Sequence, residues 1–332
     1  MNILFAGSFS MQRLRYSFVL AIAGISLSCG GATAQEYPSK TVRFIVPLSP
    51  GGGTDIAARL TAQKLTERWA QQFVVENRPG GGAVIGAELV ARAAPDGYTL
   101  LVTSPGAVVV NPWLFRKLPY EPRDFVPVAM LAPTYYVLIA HPSVPAKSVS
   151  ELIQVARKHP GGLVLASGGL AAPSDLIGEM FKSLARIDAI TVQYKGGGHA
   201  IADLISGQAS MMFADMIAAM PYVAPRRVKL LAVLTAQRVP QLPDTPTLKE
   251  SGIDYDALGW SGVFAPARTP AAIVTKLNSE LRNILRLPDI QTRLASDGSA
   301  FGPNTPESLQ AFIRSEFAKY ETAVKVSGRR LD

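Results

Sequence analysis

The stretch FIVPLSPGGGTDIAARL, residues 44–60, passes from a hydrophobic run through prolines and three glycines into a helical pattern. Ala58, Ala62, Leu65 and Trp69 carry that pattern on at the spacing of one helix face. The stretch therefore predicts a buried strand, a tight loop and a helix. Glycine lets a ligand approach the backbone, and the start of a helix offers unpaired N–H groups, so such a loop can also hold an anion.

The same pattern returns twice, as NRPGGGAVIGAELV at residues 77–90 and as YKGGGHAIADLI at residues 194–205. A phosphate cradle is the weakest interpretation, because neither Pro-Gly-Gly-Gly loop carries the lysine of a P-loop and the dinucleotide pattern G-x-G-x-x-G is absent. A backbone site for a carboxylate and a plain tight turn both remain open.

Apolar runs of strand length alternate with helix-period segments along the chain. Residues 41–103 have a βαβαβ order, which predicts a parallel sheet, and a second alternation begins near residue 163. Residues 125–144 look like two closely spaced strands, and residues 258–267 like a strand that returns to the first sheet. We therefore predict an α/β fold of two lobes, with crossings near residues 135–139 and 257–262 and a cleft that closes on a ligand.

Three helix starts carry capping signals. Ser148 and Glu151 have the spacing of a capping box. Thr269 precedes Pro270, and Thr305 precedes Pro306, which predicts a threonine cap followed by proline in the first helical position.

The N-terminus has the order of a secretory signal. Arg13 and Arg15 precede an apolar stretch, and Ala32-Thr33-Ala34 completes an A-x-A cleavage site. A membrane anchor is the alternative, but the apolar stretch is shorter than the roughly 20 residues that a span needs. We expect residues 1–34 to be a removed signal peptide and the mature protein to be secreted. Residues 35–137 and 258–332 then form the first lobe, and residues 138–257 the second.

The composition indicates a soluble globular protein, with 48% hydrophobic and 17% charged residues. The net charge of +8 comes from scattered lysines and arginines without a basic run, which argues against nucleic-acid binding and fits an acidic small ligand or an anionic membrane surface. Cys29, the only cysteine, lies in the signal, so the mature chain has no thiol. We expect no metal, no cofactor and a monomer.

Catalytic patterns are missing from the sequence. It has no G-x-S-x-G elbow and no H-E-x-x-H pair, and of its three histidines only His199 follows a glycine-rich loop. Asp215 ends the predicted strand ASMMFAD, and no obvious acid–base partner accompanies it. We therefore expect a binding protein rather than an enzyme.

Two residues permit two interpretations each. Thr54 can cap the helix after the first loop and Asp55 suits its first turn electrostatically, yet Asp55 could equally point into the cleft and meet a ligand. Trp260, at a crossing, could pack near the ligand or simply fill the core, as large aromatic side chains usually do.

The chain resembles the periplasmic receptors of tripartite tricarboxylate transporters, the Bug-type receptors. The resemblance spans nearly all of residues 37–325, and it rests on both Pro-Gly-Gly-Gly loops and on NPWLF, LIGEMF, VQYKGGGHAIADLISGQASMMF, LAVLTAQRVPQLPDTPTLKESG and GVFAPARTPAAIVTKLNSEL. It implies a two-lobed, type II-like Venus-flytrap fold that captures a small carboxylate and delivers it to membrane permease subunits. A sensor that feeds a two-component system is the alternative.

The resemblance also implies which residues bind the ligand. Loops of both lobes supply backbone groups and hydroxyls, and the second lobe adds an acid. The expected ligand-binding residues are Ser49, Gly51, Gly52, Gly53, Thr54, Asp55, Ser104, Gly106, Ala107, Ser167, Gly168, Gly169, Ser174, Gly196, Gly197, Asp215 and Trp260. We expect the RPGGG loop to be mainly structural.

This chain departs from the family pattern at three places. Residues 171–175 read Ala-Ala-Pro-Ser-Asp where the family tends to have Gly-Thr-x-Ser-His. Ala214 separates Phe213 from the acid, and residues 105–110 are less polar than usual. These departures predict a ligand with an apolar or aromatic body rather than a di- or tricarboxylate.

Overall fold

Nine strands form one mixed sheet in the computed structural model, which describes residues 36–170, 172–294, 305–327 and 331. Lys40–Asp332 make up one compact unit, and Met1–Ser39 make up another, of which only the last four residues are described. The expected signal peptide, residues 1–34, lies outside the described residues. The strands are β1 Val42–Val46, β2 Phe73–Asn77, β3 Thr99–Thr103, β4 Phe125–Ala140, β5 Val164–Ser167, β6 Ile190–Gln193, β7 Met211–Asp215, β8 Lys229–Val233 and β9 Leu258–Pro266.

Helices cover both faces of this sheet and follow most of the strands. They are α1 Gly53–Trp69, α2 Val84–Ala91, α3 Asn111–Leu114, α4 Val149–Lys158, α5 Pro173–Ala185, α6 Gly197–Ile205, α7 Met216–Val223, α8 Ala271–Leu285, α9 Pro288–Arg293 and α10 Pro306–Ser327. Gly106–Val110 form a π-helical turn before α3, and Pro122–Asp124 form a 3₁₀ turn before β4.

The strand order is β2-β1-β3-β9-β4-β7-β5-β6, with β8 also paired to β4. Pairing is parallel between β1 and its neighbours β2 and β3, as the βαβαβ pattern predicts, and again between β5 and its neighbours β6 and β7. β9 and β4 run antiparallel to their partners and join the two parallel groups. We call the group around β1 the first lobe and the group around β5 the second lobe.

β4 is one strand of 16 residues, and the expectation of two closely spaced strands was wrong. Pro127 and Pro133 interrupt its sequence, but register shifts near residues 127–132 let the strand continue beside β9, because a bulge tolerates a missing N–H. β4 pairs with β9 as far as Tyr135 and with β7 from Tyr136 onward. The partner change falls at the first predicted crossing, and β9 begins at the second.

The helices obey the predicted periodicity with small differences at their ends. Ala58, Ala62 and Leu65 lie on the buried face of α1. Ser148 accepts the N–H of Glu151, although the Glu151 carboxylate bonds to the N–H of Lys147 instead of closing the capping box. Together these contacts confirm a side-chain cap on α4.

The two threonine caps differ. Thr305 accepts the N–H of Ser308 and caps α10, as expected. Thr269 instead donates its hydroxyl to the carbonyl of Pro266, and Pro270 remains extended, so α8 starts one residue later than expected, at Ala271.

The core of each lobe lies between its part of the sheet and its helices. The first-lobe core contains Ile45, Leu101 and Phe264, and Leu176 of the second-lobe helix α5 packs against it. The second lobe has one cluster on each face of its sheet, one around Phe181 and Phe213 and one around Ile139 and Ala200. The C-terminal ends of β1, β3, β5, β6 and β7 all lie where the two lobes meet.

Candidate functional site

A small cavity of about 40 Å³ lies between the lobes, and we call it the interlobe cavity. Its lining comes from the ends of β1, β3, β5 and β7, from β4 and from the starts of three helices. The lining residues are Leu48, Thr54, Ser104, Tyr136, Gly168, Ala172, Pro173, Ser174, Gly197, Met212, Phe213 and Asp215.

Three helices begin at this cavity: α1, α5 and α6. Thr54 belongs to the first turn of α1, Pro173 and Ser174 to that of α5, and Gly197 opens α6. The first N–H groups of a helix lack intrahelical partners and carry a partial positive charge. None of the described lining residues is lysine, arginine or histidine, so the donors that an anion can meet here are backbone N–H groups and hydroxyls.

The first loop, residues 49–53, contacts the second-lobe loop, residues 195–198. Ser49 N–H donates to the carbonyl of Lys195 at 3.0 Å. A Cβ atom at Gly198 would overlap the carbonyl oxygen of Pro50, so only glycine lets the two backbones approach this closely. The two lobes are thus in direct contact beside the cavity.

Asp215 bridges the lobes with its carboxylate. Oδ2 accepts the N–H of Gly53, the first residue of α1, at 2.9 Å. Burial raises the pKa of Asp215 to about 6, and the Gly53 hydrogen bond opposes that rise. Tyr136 is buried beside it, and burial, together with the Asp215 charge, raises the pKa of its phenol well above the ordinary value.

Asp55 lies behind the first loop and does not line the cavity. Its Oδ2 accepts the N–H of Gly51 at 2.9 Å and Nε of Arg59 at 3.0 Å, and its Oδ1 accepts Nδ2 of Asn77 at 2.9 Å. Only 2% of the residue is exposed. These contacts make Asp55 the group that fixes the shape of the first loop.

Thr54 does not cap α1. The helix begins at Gly53 after the extended residue Gly52, and no side chain bonds to its first N–H groups from the N-cap position. Thr54 instead lines the interlobe cavity from inside the first turn. The cap that the sequence permitted is therefore absent, and the carboxylate of Asp215 accepts the N–H of Gly53 at this helix end instead.

The second-lobe loop after β5 is held by an acid that sequence reasoning did not select. Asp175 is buried, and its Oδ1 accepts the hydroxyl of Ser167 at 3.1 Å and Nε2 of Gln193 at 2.6 Å. Ser174 accepts the N–H of Gly168 at 3.1 Å. Ser174 and Asp175, which belong to the segment that departs from the family pattern, therefore both shape the loop.

Trp260 lies in the first-lobe core. Its ring packs against Phe264 and Phe312, and its Nε1 donates to Oε2 of the buried Glu316 at 2.9 Å. The residue does not line the interlobe cavity.

The expected binding residues divide into three groups in the structure. Thr54, Ser104, Gly168, Ser174, Gly197 and Asp215 line the cavity. The residues in the contacting loops beside it are Ser49, Gly51, Gly52, Gly53 and Gly196. The remaining expected residues do not line the cavity: Asp55, Gly106, Ala107, Ser167, Gly169 and Trp260.

Sequence reasoning missed the apolar part of the lining. Leu48, Tyr136, Met212 and Phe213 stand at strand ends or on the strand that crosses between the lobes. Leu48 and Phe213 lie within two residues of predicted positions, so strand-end proximity was the available signal. The RPGGG loop does not line the cavity, and its Gly82 carbonyl accepts Nδ2 of Asn111 at 2.9 Å.

No group of three or more metal-ligating side chains occurs within the described ranges, and no helix there is long and apolar enough to cross a membrane.

Comparison with known proteins identifies the family. Residues 57–328 match the tripartite tricarboxylate transporter family receptor, TctC. Protein BugT of Bordetella pertussis is 32% identical over 320 residues, which cover 94% of this chain and 98% of BugT.

Two solved structures from Rhodopseudomonas palustris share the fold. One, with adipate, is 33% identical and has a TM-score of 0.85 over 89% of this chain and 100% of that one. The other, MatC with bound malate, is 33% identical with a TM-score of 0.81 over 87% of this chain and 100% of that one. The chain therefore belongs to the tripartite tricarboxylate transporter receptors of the Bug type, a family of two-lobed solute-binding proteins.

Proposed function

We propose that the protein is a periplasmic receptor that captures a small carboxylate in the interlobe cavity and delivers it to the membrane permease of a tripartite transporter. The observation that carries the ligand class is the convergence of three helix starts on a cavity whose described lining has no basic side chain. Backbone N–H groups and the hydroxyls of Thr54, Ser104 and Ser174 suffice to hold a carboxylate.

The family description and the relatives support the transport role. The family consists of receptors, and receptors are not a class of enzymes. Nothing among the relatives reported above points to a sensor for a two-component system. We also propose a signal peptide at residues 1–34 and a monomeric state. The first lobe then comprises residues 35–137 and 258–332, and the second lobe comprises residues 138–257.

The apolar lining favours a ligand with an apolar or aromatic body. Leu48, Met212 and Phe213 offer hydrocarbon surface, and Asp215 disfavours a second carboxylate nearby. Adipate and malate are bound by relatives, and a monocarboxylate suits this lining better than either. A cavity of about 40 Å³ has room for only a few water-sized groups, so entry requires the lobes to separate and close again.

A thermal-shift series tests this proposal. Mature protein is titrated with benzoate, adipate, malate and citrate, and a ligand at about 100 times its Kd adds roughly 2.7 kcal/mol to the free energy of unfolding. We expect benzoate to give the largest shift. Tighter binding of citrate than of any monocarboxylate would contradict the ligand class.

Thr54→Val and Gly52→Val separate the roles of hydroxyl and backbone. Thr54→Val keeps the side-chain shape but removes a hydroxyl from the cavity, and we expect about tenfold weaker carboxylate binding. Gly52→Val crowds the first loop and should abolish the shift, whereas Gly52→Ala is the matched control. An unchanged shift in Gly52→Val would mean that the first loop is only a turn.

A further inference from the structure

A second cavity, of about 410 Å³, lies in the first lobe and has about ten times the volume of the interlobe cavity. We call it the lateral cavity. Its lining residues are Val108, Pro122, Arg123, Phe125, Pro127, Phe264, Gln310, Ile313, Arg314 and Phe317. The volume lies within the range of about 300 to 1,000 Å³ that small-molecule sites occupy.

The floor of the lateral cavity is apolar and belongs to two paired strands of the first lobe. Phe125 and Pro127 come from β4 and Phe264 from β9, and these two strands are paired along this length. All three residues are buried, as is Val108 of the π-helical turn. Ile313 and Phe317, one turn apart on α10, form a partly exposed wall. The floor and this wall therefore come from packed strands and a helix.

The rim of the lateral cavity is cationic. Arg314 and Arg123 are exposed at its edge, and Gln310 lies one turn before Arg314 on α10. Arg123 forms an ion pair with Glu121, whereas no ion pair of Arg314 is seen among the described residues. None of the described lining residues is acidic. An apolar floor beneath a cationic rim complements a molecule with a hydrocarbon body and one acidic head.

We propose that the lateral cavity is a second ligand site, which takes a small amphipathic anion with its hydrocarbon body between Phe264 and Phe317 and its acid group at Arg314. The site stands on the first lobe alone and is independent of the proposed function of the interlobe cavity. Arginine suits this role because its planar donors can grip a carboxylate in two places and stay charged at any physiological pH.

The lateral cavity also touches the turn that leads from the interlobe cavity. Val108 lies in the π-helical turn that follows β3, and Ser104 at the end of β3 lines the interlobe cavity. Tyr120 ties this turn to the lateral cavity, because its hydroxyl donates to the carbonyl of Ala107 at 2.7 Å and its ring packs edge-on against Phe125. A ligand in the lateral cavity thus contacts elements that position Ser104.

Calorimetric titration with octanoate tests the assignment. We expect wild-type protein to bind octanoate, and to bind octanol, which has the same chain length without the charge, at least about tenfold more weakly. Arg314→Gln should weaken octanoate binding by a similar factor, and Ile313→Trp should block it by filling the cavity. Arg293→Gln, which removes an exposed arginine from α9 of the same lobe, should leave it unchanged.

Three results would overturn the proposal. Wild-type protein that does not bind octanoate lacks the site. Equal octanoate binding by wild type, Arg314→Gln and Ile313→Trp places the ligand elsewhere. Loss of binding in Thr54→Val, with Arg314→Gln unaffected, places octanoate in the interlobe cavity. Circular dichroism checks that each variant is folded. If Ile313→Trp does not fold, Arg314→Gln alone still decides the test.

Discussion

The carboxylate of Asp215 accepts the N–H of Gly53 at 2.9 Å, which joins the end of a second-lobe strand to the first residue of a first-lobe helix. The acid of one lobe thus occupies an N–H group of the kind that binds anions at helix starts. Lobe contact and pH response consequently meet in one hydrogen bond.

Asp215→Asn should remove a pH dependence of stability. Burial holds the Asp215 pKa at about 6 in the folded protein, above the value of 3.8 for an ordinary aspartate. The folded state therefore binds the proton first as pH falls, and the side chain favours folding below about pH 4 and loses that contribution as pH rises through about 6. The free energy of unfolding that is lost between these two pH values is on the order of 2–3 kcal/mol. Asparagine does not ionise, so the variant does not show this loss.

Urea unfolding of both proteins at about pH 4 and about pH 7 measures this effect. We expect the free energy of unfolding of Asp215→Asn, relative to that of wild type, to increase from about pH 4 to about pH 7. Parallel changes in the two proteins would show that Asp215 ionises normally.

Gly53→Ala should destabilise the protein by about 1–3 kcal/mol. A Cβ atom at Gly53 would lie 2.7 Å from Oδ2 and 2.8 Å from Cβ of Asp215, so the aspartate must move and its hydrogen bond weakens. At Gly52 the nearest atom to a Cβ lies at 3.7 Å, which is ordinary contact, and Gly52→Ala is the matched control. Urea midpoints compare the two, and equal midpoints would contradict the prediction.

Gly198→Ala should push the two lobes apart without weakening either. Alanine favours a helix over glycine by about 1 kcal/mol, so α6 itself is not harmed. Its Cβ would nevertheless overlap the Pro50 carbonyl of the other lobe. We expect a larger radius of gyration by small-angle scattering.

His199→Ala is the control for that experiment, since His199 is the next residue of α6 and is exposed. Its radius of gyration should equal that of wild type. Identical scattering from Gly198→Ala and wild type would argue that the two loops do not touch in solution.

Trp260→Phe should cost about 1–3 kcal/mol of stability and leave carboxylate binding intact. The substitution removes the indole donor to Glu316 inside the first-lobe core, while the ring does not line the interlobe cavity. Chemical unfolding gives the stability and thermal shift the binding. Loss of the ligand shift at unchanged stability would instead make Trp260 a ligand contact.

The periodicity of the sequence is sufficient to predict most strands and helices, because buried apolar residues must recur on one face. It fails at β4, where Pro127 and Pro133 interrupt the sequence and only the pairing with β9 shows that one strand continues through both. Whether a strand continues past a proline depends on the strand it pairs with, which is distant in sequence. The local pattern of residues does not show that pairing.

The same limit applies to the site. Polar residues at helix starts and strand ends are visible in a sequence, and Thr54, Ser174 and Asp215 do line the interlobe cavity. Met212 and Phe213 look like core residues in the sequence, because an apolar side chain on a strand has the same sequence pattern whether it faces a cavity or the core. Asp55 could not be assigned from the sequence, since its partner Asn77 comes from the next strand along the chain.

The pairing of Tyr135 with Leu258 has a consequence for how the chain is assembled. These residues are direct neighbours on antiparallel strands, so the second lobe leaves and re-enters the first at adjacent points. A two-residue turn such as Asn-Gly could join them and close a hairpin. We expect the first lobe to be expressible as such a shortened protein, because the second lobe is then an insertion between two neighbouring positions of one sheet.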